Sequence, residues 1–382
     1  MTGSVHDWAT ASRILCIRLD TIGDVLMTTP AIRAVREAGD GRTVTLLTSS
    51  SGATIAPLIP CIDDVITYDA PWLKTPGQRE TSDVDHAMIR ALRAARFDAA
   101  IIFTVFSQSA LPAALMSFLA DIPLRLAHVR ENPYELLTTW VRDTEPDSGI
   151  RHEVERQLAL VQAVGYQTSD THLALRVTRA MRRDIQALLS SLGIGPATPW
   201  IVLHPGATAP SRRYPPKQFA AAVHPLVAER GYRVLVTGGA AEAALVSEMC
   251  HRIGSHAIDL AGRLDIAQLA ALVDAAPLLI TNNTGPAHIA AAVGTPIVDV
   301  YALTNPQHTP WRVPARVLSH DVPCRNCFKS VCPLGHNNCI RGIAPHDVTR
   351  AALDLLAERR ASKPSTANKH APAATDHWPA PL

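Results

Sequence analysis

An acid stands where an apolar strand would hand over to a helix. In "RLDTIGDVLMTTPAI", residues 18–32, Asp24 follows Gly23 between the apolar run "ILCI" and a helix-like run. A carboxylate in that place caps a helix, or it takes a proton from a hydroxyl held within hydrogen-bond reach. Three loops of the second half carry another kind of chemistry. "HPGATAPSRRYPPKQF" holds the small hydroxyl residues Thr208 and Ser211 beside Arg212 and Arg213. "TGGAAEAAL" pairs glycines with Glu242, and "TNNTGPAHIAAA" opens a helix with Asn283, Thr284 and Gly285. A glycine-bearing helix start presents free N–H groups and a positive dipole end to an anion. An arginine grips the same phosphate with paired hydrogen bonds, and an acid accepts the hydroxyls of a ribose. Together the three loops read as a site for a nucleotide diphosphate held without a metal. Each also has a plain structural reading: a helix cap, a solvated loop, an acid that complements a dipole. Their convergence favours the site.

The elements that must carry these loops are legible in the pattern. Short apolar runs such as "RILCIRL", "TVTLLT", "WIVLHPG", "YRVLVTGG", "PLLITNN" and "TPIVDVY" alternate with Ala- and Leu-rich segments at helical spacing. Such alternation implies parallel sheets covered by helices on both faces. It occurs twice, so the fold expected is α/β, with two doubly wound domains facing across a cleft. The bounds read are 1–175 for the first domain, 176–198 for a linker and 199–360 for the second. The Pro-, Ala-, Ser- and Thr-rich stretch 361–382 reads as a disordered tail.

Composition bounds the rest. Thirty-six Lys and Arg against 34 Asp and Glu give a net charge of +2, which is no whole-chain footprint for nucleic acid. The N-terminal stretch lacks the apolar core of a secretory signal, and no run approaches a membrane span, so a cytoplasmic protein is expected. "DVD" at Asp83–Asp85 imitates an Asp-x-Asp metal motif, yet it follows a polar run and reads as a helix start. Cys16, Cys61 and Cys250 are scattered as small hydrophobes. Cys324, Cys327, Cys332 and Cys339 crowd into one loop, with spacing that suits either a structural zinc knuckle or reduced, metal-free thiols. In the first half, Arg125 and Arg130 lie beside apolar segments. They suit phosphate or carboxylate on an anionic glycolipid acceptor, and the apolar helix suits either burial or the cytoplasmic face of the inner membrane.

The set "GDVLMTTPAIRAVRE", "HPGATAPSRRYPPKQF", "GGAAE" and "NNTGPAHIAAAVGTP" resembles glycosyltransferase family nine, the lipopolysaccharide heptosyltransferases, over roughly residues 13–350. The resemblance implies a GT-B fold, with the acceptor on the first domain and the nucleotide-sugar on the second. It implies an inverting transfer, usually of heptose from an ADP-activated donor to a lipopolysaccharide core or related cell-envelope glycan, with no catalytic cofactor. By the same resemblance Asp24 is the general base, Arg212 holds the donor phosphates, Thr284 and Gly285 form the phosphate turn, His288 follows one helical turn later, and Glu242 meets the ribose. Asn283 stands where many members carry aspartate. A nucleotide-sugar epimerase of the same architecture and a non-catalytic nucleotide-sugar-binding module are the alternatives.

Overall fold

The computed structural model describes residues 7–73 and 80–362. The stretch 363–382, within the expected tail, lies outside the described residues. The first domain holds β1 (Arg13–Arg18), α1 (Ile22–Glu37), β2 (Thr43–Thr48), α2 (Ser50–Ile55), β3 (Asp64–Thr67), α3 (Asp83–Ala95), β4 (Ala99–Ile102), α4 (Leu111–Leu119), β5 (Leu124–Val129), β6 (Thr139–Arg142) and α5 (Glu153–Gln162). After α6 (Arg179–Ser191) come β7 (Trp200–His204), α7 (Pro216–Ala228), β8 (Arg233–Gly238), α8 (Ala243–Ile253), β9 (Ala257–Ala261), α9 (Ile266–Ala275), β10 (Leu279–Asn282), α10 (Gly285–Val293), β11 (Ile297–Val300), β12 (Ala315–Leu318), α11 (Asn338–Arg341) and α12 (Pro345–Ser362).

Both sheets have six parallel strands. Their orders, β3-β2-β1-β4-β5-β6 and β12-β11-β10-β7-β8-β9, are the same doubly wound topology used twice. In each, the chain reverses direction across the sheet between the first and fourth strands, β1 and β4 or β7 and β10. Ligands of such sheets bind in the crevice outside the strand carboxyl ends at that switch point. The central strands are near-continuous apolar runs because helices cover both faces, and β1, β4, β7 and β10 are buried along almost their whole length.

α1 shows how local chemistry serves the cleft. Thr21 caps it, and Asp24 stands at the third helical position, where its carboxylate accepts from the Thr21 N–H at 3.1 Å. Pro30 sits inside the helix and lacks the N–H that would meet the Leu26 carbonyl. The Thr29 hydroxyl donates to that carbonyl instead, at 2.6 Å. α1 packs against α5 on its own domain and against α10 of the other, so one apolar cluster runs from Ile14 through Ile32 to Ile289.

Three strands carried no legible signal. β5, β6 and β12 read "LRLAHV", "TWVR" and "ARVL", each with a cation that breaks the apolar run. In the stretch read as a linker, α6 buries Ile185 and Leu189 and lies against α9, with Arg182 and Asp274 paired at 2.7 Å. Asp83 and Asp85 occupy the first turn of α3, a helix start as expected.

Candidate functional site

The carboxyl ends of β1 and β4 meet those of β7 and β10 across a cleft of about 940 Å³. Asp24, Thr208, Arg212, Asn283, Thr284, Gly285 and His288 all line it, although they come from two domains and three loops. The N-terminus of α1 and the N-terminus of α10 thus open on one space. Thr284 caps α10 in extended backbone geometry, and its hydroxyl makes no capping bond. Pro286 brings no N–H to the first turn, so the free donors of that helix end fall at Thr284 and Gly285. Asn283 is 2% exposed and its amide Nδ2 has no partner. Arg212 donates to Asn305 Oδ1 at 3.0 Å, while its Nε has no partner. Unspent buried donors facing a helix start are what an anion would complete.

Behind this wall lies Asp299, fully buried on β11, with neither carboxyl oxygen hydrogen-bonded. Burial holds it protonated well above the ordinary carboxylate range, and nearby Arg212 offsets this only in part.

On the first-domain side, a buried arginine gathers three acids. Arg18, at the end of β1, is 0% exposed. Its Nη1 donates to Glu153 at 2.8 Å and its Nη2 to Asp24 at 3.2 Å, and its Nε lies 3.0 Å from Asp20. Gln108 donates to the other oxygen of Asp20 at 2.7 Å. One cation cannot neutralise three carboxylates, so their pKa values separate. For Asp20, burial together with Asp24 and Glu153 outweighs Arg18 and Gln108, and the carboxyl is raised to about 6. For Asp24, burial is outweighed by Arg18, His308 and the two Thr21 hydrogen bonds, and the carboxyl is lowered to about 2. His308 reaches in from the loop after β11 and stands 4.0 Å from Glu153. Burial keeps it neutral, lowered to about 4, and the same cause lowers His288 to about 3.

Five residues read as site candidates lie elsewhere. The Ser211 hydroxyl is spent on the Lys329 carbonyl at 2.8 Å, and the residue is buried beneath the cysteine-rich loop. Arg213 turns outward and ties down the Ala207 carbonyl at 2.7 Å. Glu242 folds over Gly206, where an added Cβ would fall 1.9 Å from its Oε1, and it accepts from the Gly239 N–H. Arg125 belongs to the amino end of β5, remote from the strand ends that form the cleft. Its guanidinium donates to the carbonyls of Ile122, Glu135 and Leu136. Arg130 binds the Phe106 and Glu145 carbonyls. Neither arginine lines the cleft.

Cys324, Cys327 and Cys332, in the loop between β12 and α11, are neighbours of Cys339 in the first turn of α11, and all four thiols are free. Cys332 accepts from the Asn337 N–H at 3.5 Å, and Cys324 lies 3.8 Å from His336. Among the described residues, no three His, Cys, Asp or Glu side chains are grouped to hold a metal ion. The loop does reach the cleft. Ser330 lines it, and Phe328 packs edge-on against Phe106 of the first domain with ring centroids 5.3 Å apart.

Arg18, Asp20, Glu153 and His308 escaped the sequence reading. The available signal was an arginine ending an apolar strand, which demands a buried acid.

The sequence model of glycosyltransferase family 9 (heptosyltransferase) matches residues 86–337. The chain belongs to glycosyltransferase family 9. This family member is 24% identical over 356 residues to lipopolysaccharide heptosyltransferase 2 of Salmonella typhimurium, covering 91% of this chain and 99% of that protein. It is 27% identical over 297 residues to lipopolysaccharide heptosyltransferase 3 of Escherichia coli K12, covering 76% of this chain and 82% of that one. Its fold is shared with the family 9 glycosyl transferase of Veillonella parvula, at a TM-score of 0.77 and 24% identity over 92% of this chain and 98% of that one. It is likewise shared with E. coli ADP-heptose lps heptosyltransferase II, at 0.71 and 22% over 91% and 99%. These neighbours make the two-sheet architecture a GT-B fold, and the family makes the chain a glycosyltransferase. Among the described residues no helix is long and apolar enough to cross a membrane.

Proposed function

We propose that this glycosyltransferase moves a heptose from ADP-heptose to a hydroxyl of a lipopolysaccharide core or related cell-envelope glycan, with inversion and without a catalytic metal. The observation that carries the reading is the opposition of two helix starts across one cleft: α10 with Arg212 on one wall, α1 with Asp24 on the other. The diphosphate of the donor rests on the Thr284–Gly285 turn and Arg212, which stabilise the charge that grows on it as it leaves. The acceptor hydroxyl attacks the anomeric carbon from the opposite face. As its oxygen bonds to that carbon, the bond from carbon to phosphate oxygen breaks and its electron pair departs with ADP. Asp24 takes the hydroxyl proton. Its low pKa keeps it ionised at neutral pH, as a base must be. The relatives named as lipopolysaccharide heptosyltransferases and an E. coli heptosyltransferase solved with ADP support the choice of donor and acceptor. The same reading places the protein at the cytoplasmic face of the inner membrane, where a lipid-linked acceptor is presented.

Incubating the full chain with ADP-heptose and deacylated core oligosaccharides tests this. Release of ADP matched by a heptose-sized mass gain on the glycan, with inverted anomeric configuration by NMR, is the expected result. A changed sugar released without any acceptor would show an epimerase instead, and donor binding without turnover would show a binding module.

A further inference from the structure

The stretch "TNPQHTPW", residues 304–311, carries His308 between Pro306 and Pro310, which fix the backbone on either side of it. Both domains hold this stretch. On the second-domain side Arg212 donates to the Asn305 side chain at 3.0 Å, and the Tyr301 hydroxyl donates to the Asn305 carbonyl. On the first-domain side His152 Nε2 donates to the Thr309 carbonyl at 2.9 Å, and its ring lies on Trp311 with centroids 4.5 Å apart. The Trp311 indole in turn donates to the Thr171 carbonyl at 2.7 Å. His308 is thereby placed from both walls, and it lines the cleft together with Asp24.

Its Nε2 is buried without a hydrogen-bond partner, 4.0 Å from Glu153 Oε2, which is likewise buried and unpartnered. A donor and an acceptor thus face each other unused, where buried polar groups are as a rule paired. Asp24 is in the opposite condition. Its Oδ1 accepts from Arg18 at 3.2 Å, and its Oδ2 accepts from the Thr21 N–H and hydroxyl at 3.1 and 2.8 Å. A proton taken from an acceptor hydroxyl would meet a donor at either oxygen, so it must break a bond to stay. Asp20, raised to about 6, is the rival store. Its oxygens already face Arg18 at 3.0 Å and Gln108 at 2.7 Å, so it meets the same cost.

We propose that the proton leaves Asp24 for His308, which holds it as imidazolium against Glu153 until ADP departs. The inference rests on the transfer reading above, in which Asp24 is the base, and adds the residue that clears that base for the next turnover. With Nε2–H turned toward Glu153, Nδ1 is the basic nitrogen, as an acid behind a histidine dictates. The hydroxyl O–H bond breaks as its oxygen bonds to the anomeric carbon, and the proton passes to Asp24. It then moves from the carboxyl to Nδ1, which restores the Asp24 carboxylate. Imidazolium Nε2–H closes on Glu153 Oε2, and the proton is lost to water. The groups that face His308 are Asp24 from α1, His152 and Glu153 from the start of α5, Arg18 from β1, Arg212 from the loop after β7 and His288 from α10. Burial lowers His308 to about 4, with Asp24 acting against it and Arg212, Arg18 and His152 acting with it. A diphosphate on Arg212 cancels one of those cations, so His308 becomes more basic as the leaving group gathers charge. Acting through Asp24, His308 is a positioning residue for the proton.

Steady-state rates of the full chain with ADP-heptose and core oligosaccharide, from pH 5 to pH 9, test this beside ADP calorimetry. His308→Gln keeps a neutral polar side chain that carries no proton. Its kcat should fall about 10²-fold, the lower end of what a positioned proton acceptor contributes, with donor KM and ADP affinity nearly unchanged. The acid limb of the wild-type kcat profile should vanish in His308→Gln, move to lower pH in Glu153→Gln and persist in Asp20→Asn. Free imidazole should restore much of the kcat of His308→Ala. Wild-type kcat in His308→Gln overturns the relay. So does a slower variant with an unchanged pH profile and no rescue by imidazole, since packing alone then accounts for it. An acid limb removed by Asp20→Asn and untouched by His308→Gln overturns it as well. A wild-type chain that releases no ADP with any glycan sinks the transfer reading and the relay with it, which none of the other outcomes does.

Discussion

His288 of the second domain rests on Gly23 of the first: a Cβ placed on Gly23 would come within 2.6 Å of His288 Cδ2. The glycine is there for its missing side chain, because its φ is not positive. It lets the start of α1 approach the first turn of α10, so that Asp24 and the Thr284–Gly285 turn share one cleft. Gly23→Ala should therefore act across the domain boundary. Forced overpacking of this kind costs about 1–3 kcal/mol, and the imidazole or the domain must yield. Turnover should fall while ADP affinity of the second-domain wall changes little. Calorimetry with ADP beside steady-state rates checks this, and unchanged turnover would mean the cleft tolerates the wider spacing.

Asp24→Asn separates cap from base. Asparagine still offers an oxygen to the Thr21 N–H, so the helix start is kept. The charged contact with Arg18 is lost, but so is the repulsion between Asp24 and Asp20, and Arg18 retains two acids. The melting temperature should stay within a few degrees, whereas loss of a general base slows turnover by about 10²–10⁴-fold. Near-normal turnover at equal stability would reduce Asp24 to its capping role.

The Arg18 cluster predicts a pH signature of stability. Folded, Asp20 keeps its proton up to about pH 6; unfolded, it releases it near the ordinary 3.8. Between those values the folded chain binds the extra proton, so this contribution is fully present below about pH 4 and is lost as the pH rises through about 6. Asp24 runs the other way. Held at about 2, it adds stability above the ordinary value that is lost as the pH falls toward 2. At about 1.36 kcal/mol per unit the Asp20 effect amounts to about 2–3 kcal/mol. Asp20→Asn should flatten the decline between pH 4 and 6 in a series of urea melts, and an unchanged slope would remove Asp20 from the cluster's titration.

Arg212→Ala should weaken ADP binding by about 1.5–3 kcal/mol, the range for a charge-assisted hydrogen bond. The same change removes a cation that offsets the burial of Asp299, so the carboxyl should become harder still to ionise. Titration calorimetry of wild type and variant measures the first effect. Wild-type affinity would take Arg212 out of the diphosphate site.

On the proposed transfer, the start of α10 and Arg212 take the part a divalent ion would play at the leaving diphosphate, so EDTA should leave turnover unchanged. Activity lost to EDTA and restored by magnesium would overturn that. Zinc in the cysteine loop is a separate question, answered by metal analysis. Were zinc found there, its removal should lower the melting temperature through the loop's hold on the Arg212 turn, where the Ser330 carbonyl accepts from the Ser211 N–H, rather than slow the chemical step.

The repeating strands and helices were legible because strands buried on both faces must be apolar and helices must be periodic. That Asp24, Thr208, Arg212 and the turn from Asn283 to Gly285 open on one cleft was legible because the strand carboxyl ends of such sheets line a common crevice. β5 was missed where Arg125 interrupts it, and the same residue, read as a group for an acceptor's anion, donates to backbone carbonyls. A buried arginine that satisfies local carbonyls looks, in sequence, like one that awaits an anion.

By itself, then, the sequence determined the strand–helix alternation apart from β5, β6 and β12, and with it the doubled α/β domain, since burial and backbone geometry act on neighbours a few residues apart. Only the tertiary structure decided which loop residues turn inward. It spent Ser211 on the cysteine loop, laid Glu242 over Gly206 and brought Glu153, 135 residues from Arg18, into the same buried cluster as Asp20 and Asp24. Charge balance inside a protein depends on distances through space, and residues far apart in the chain acquire those distances only when it folds.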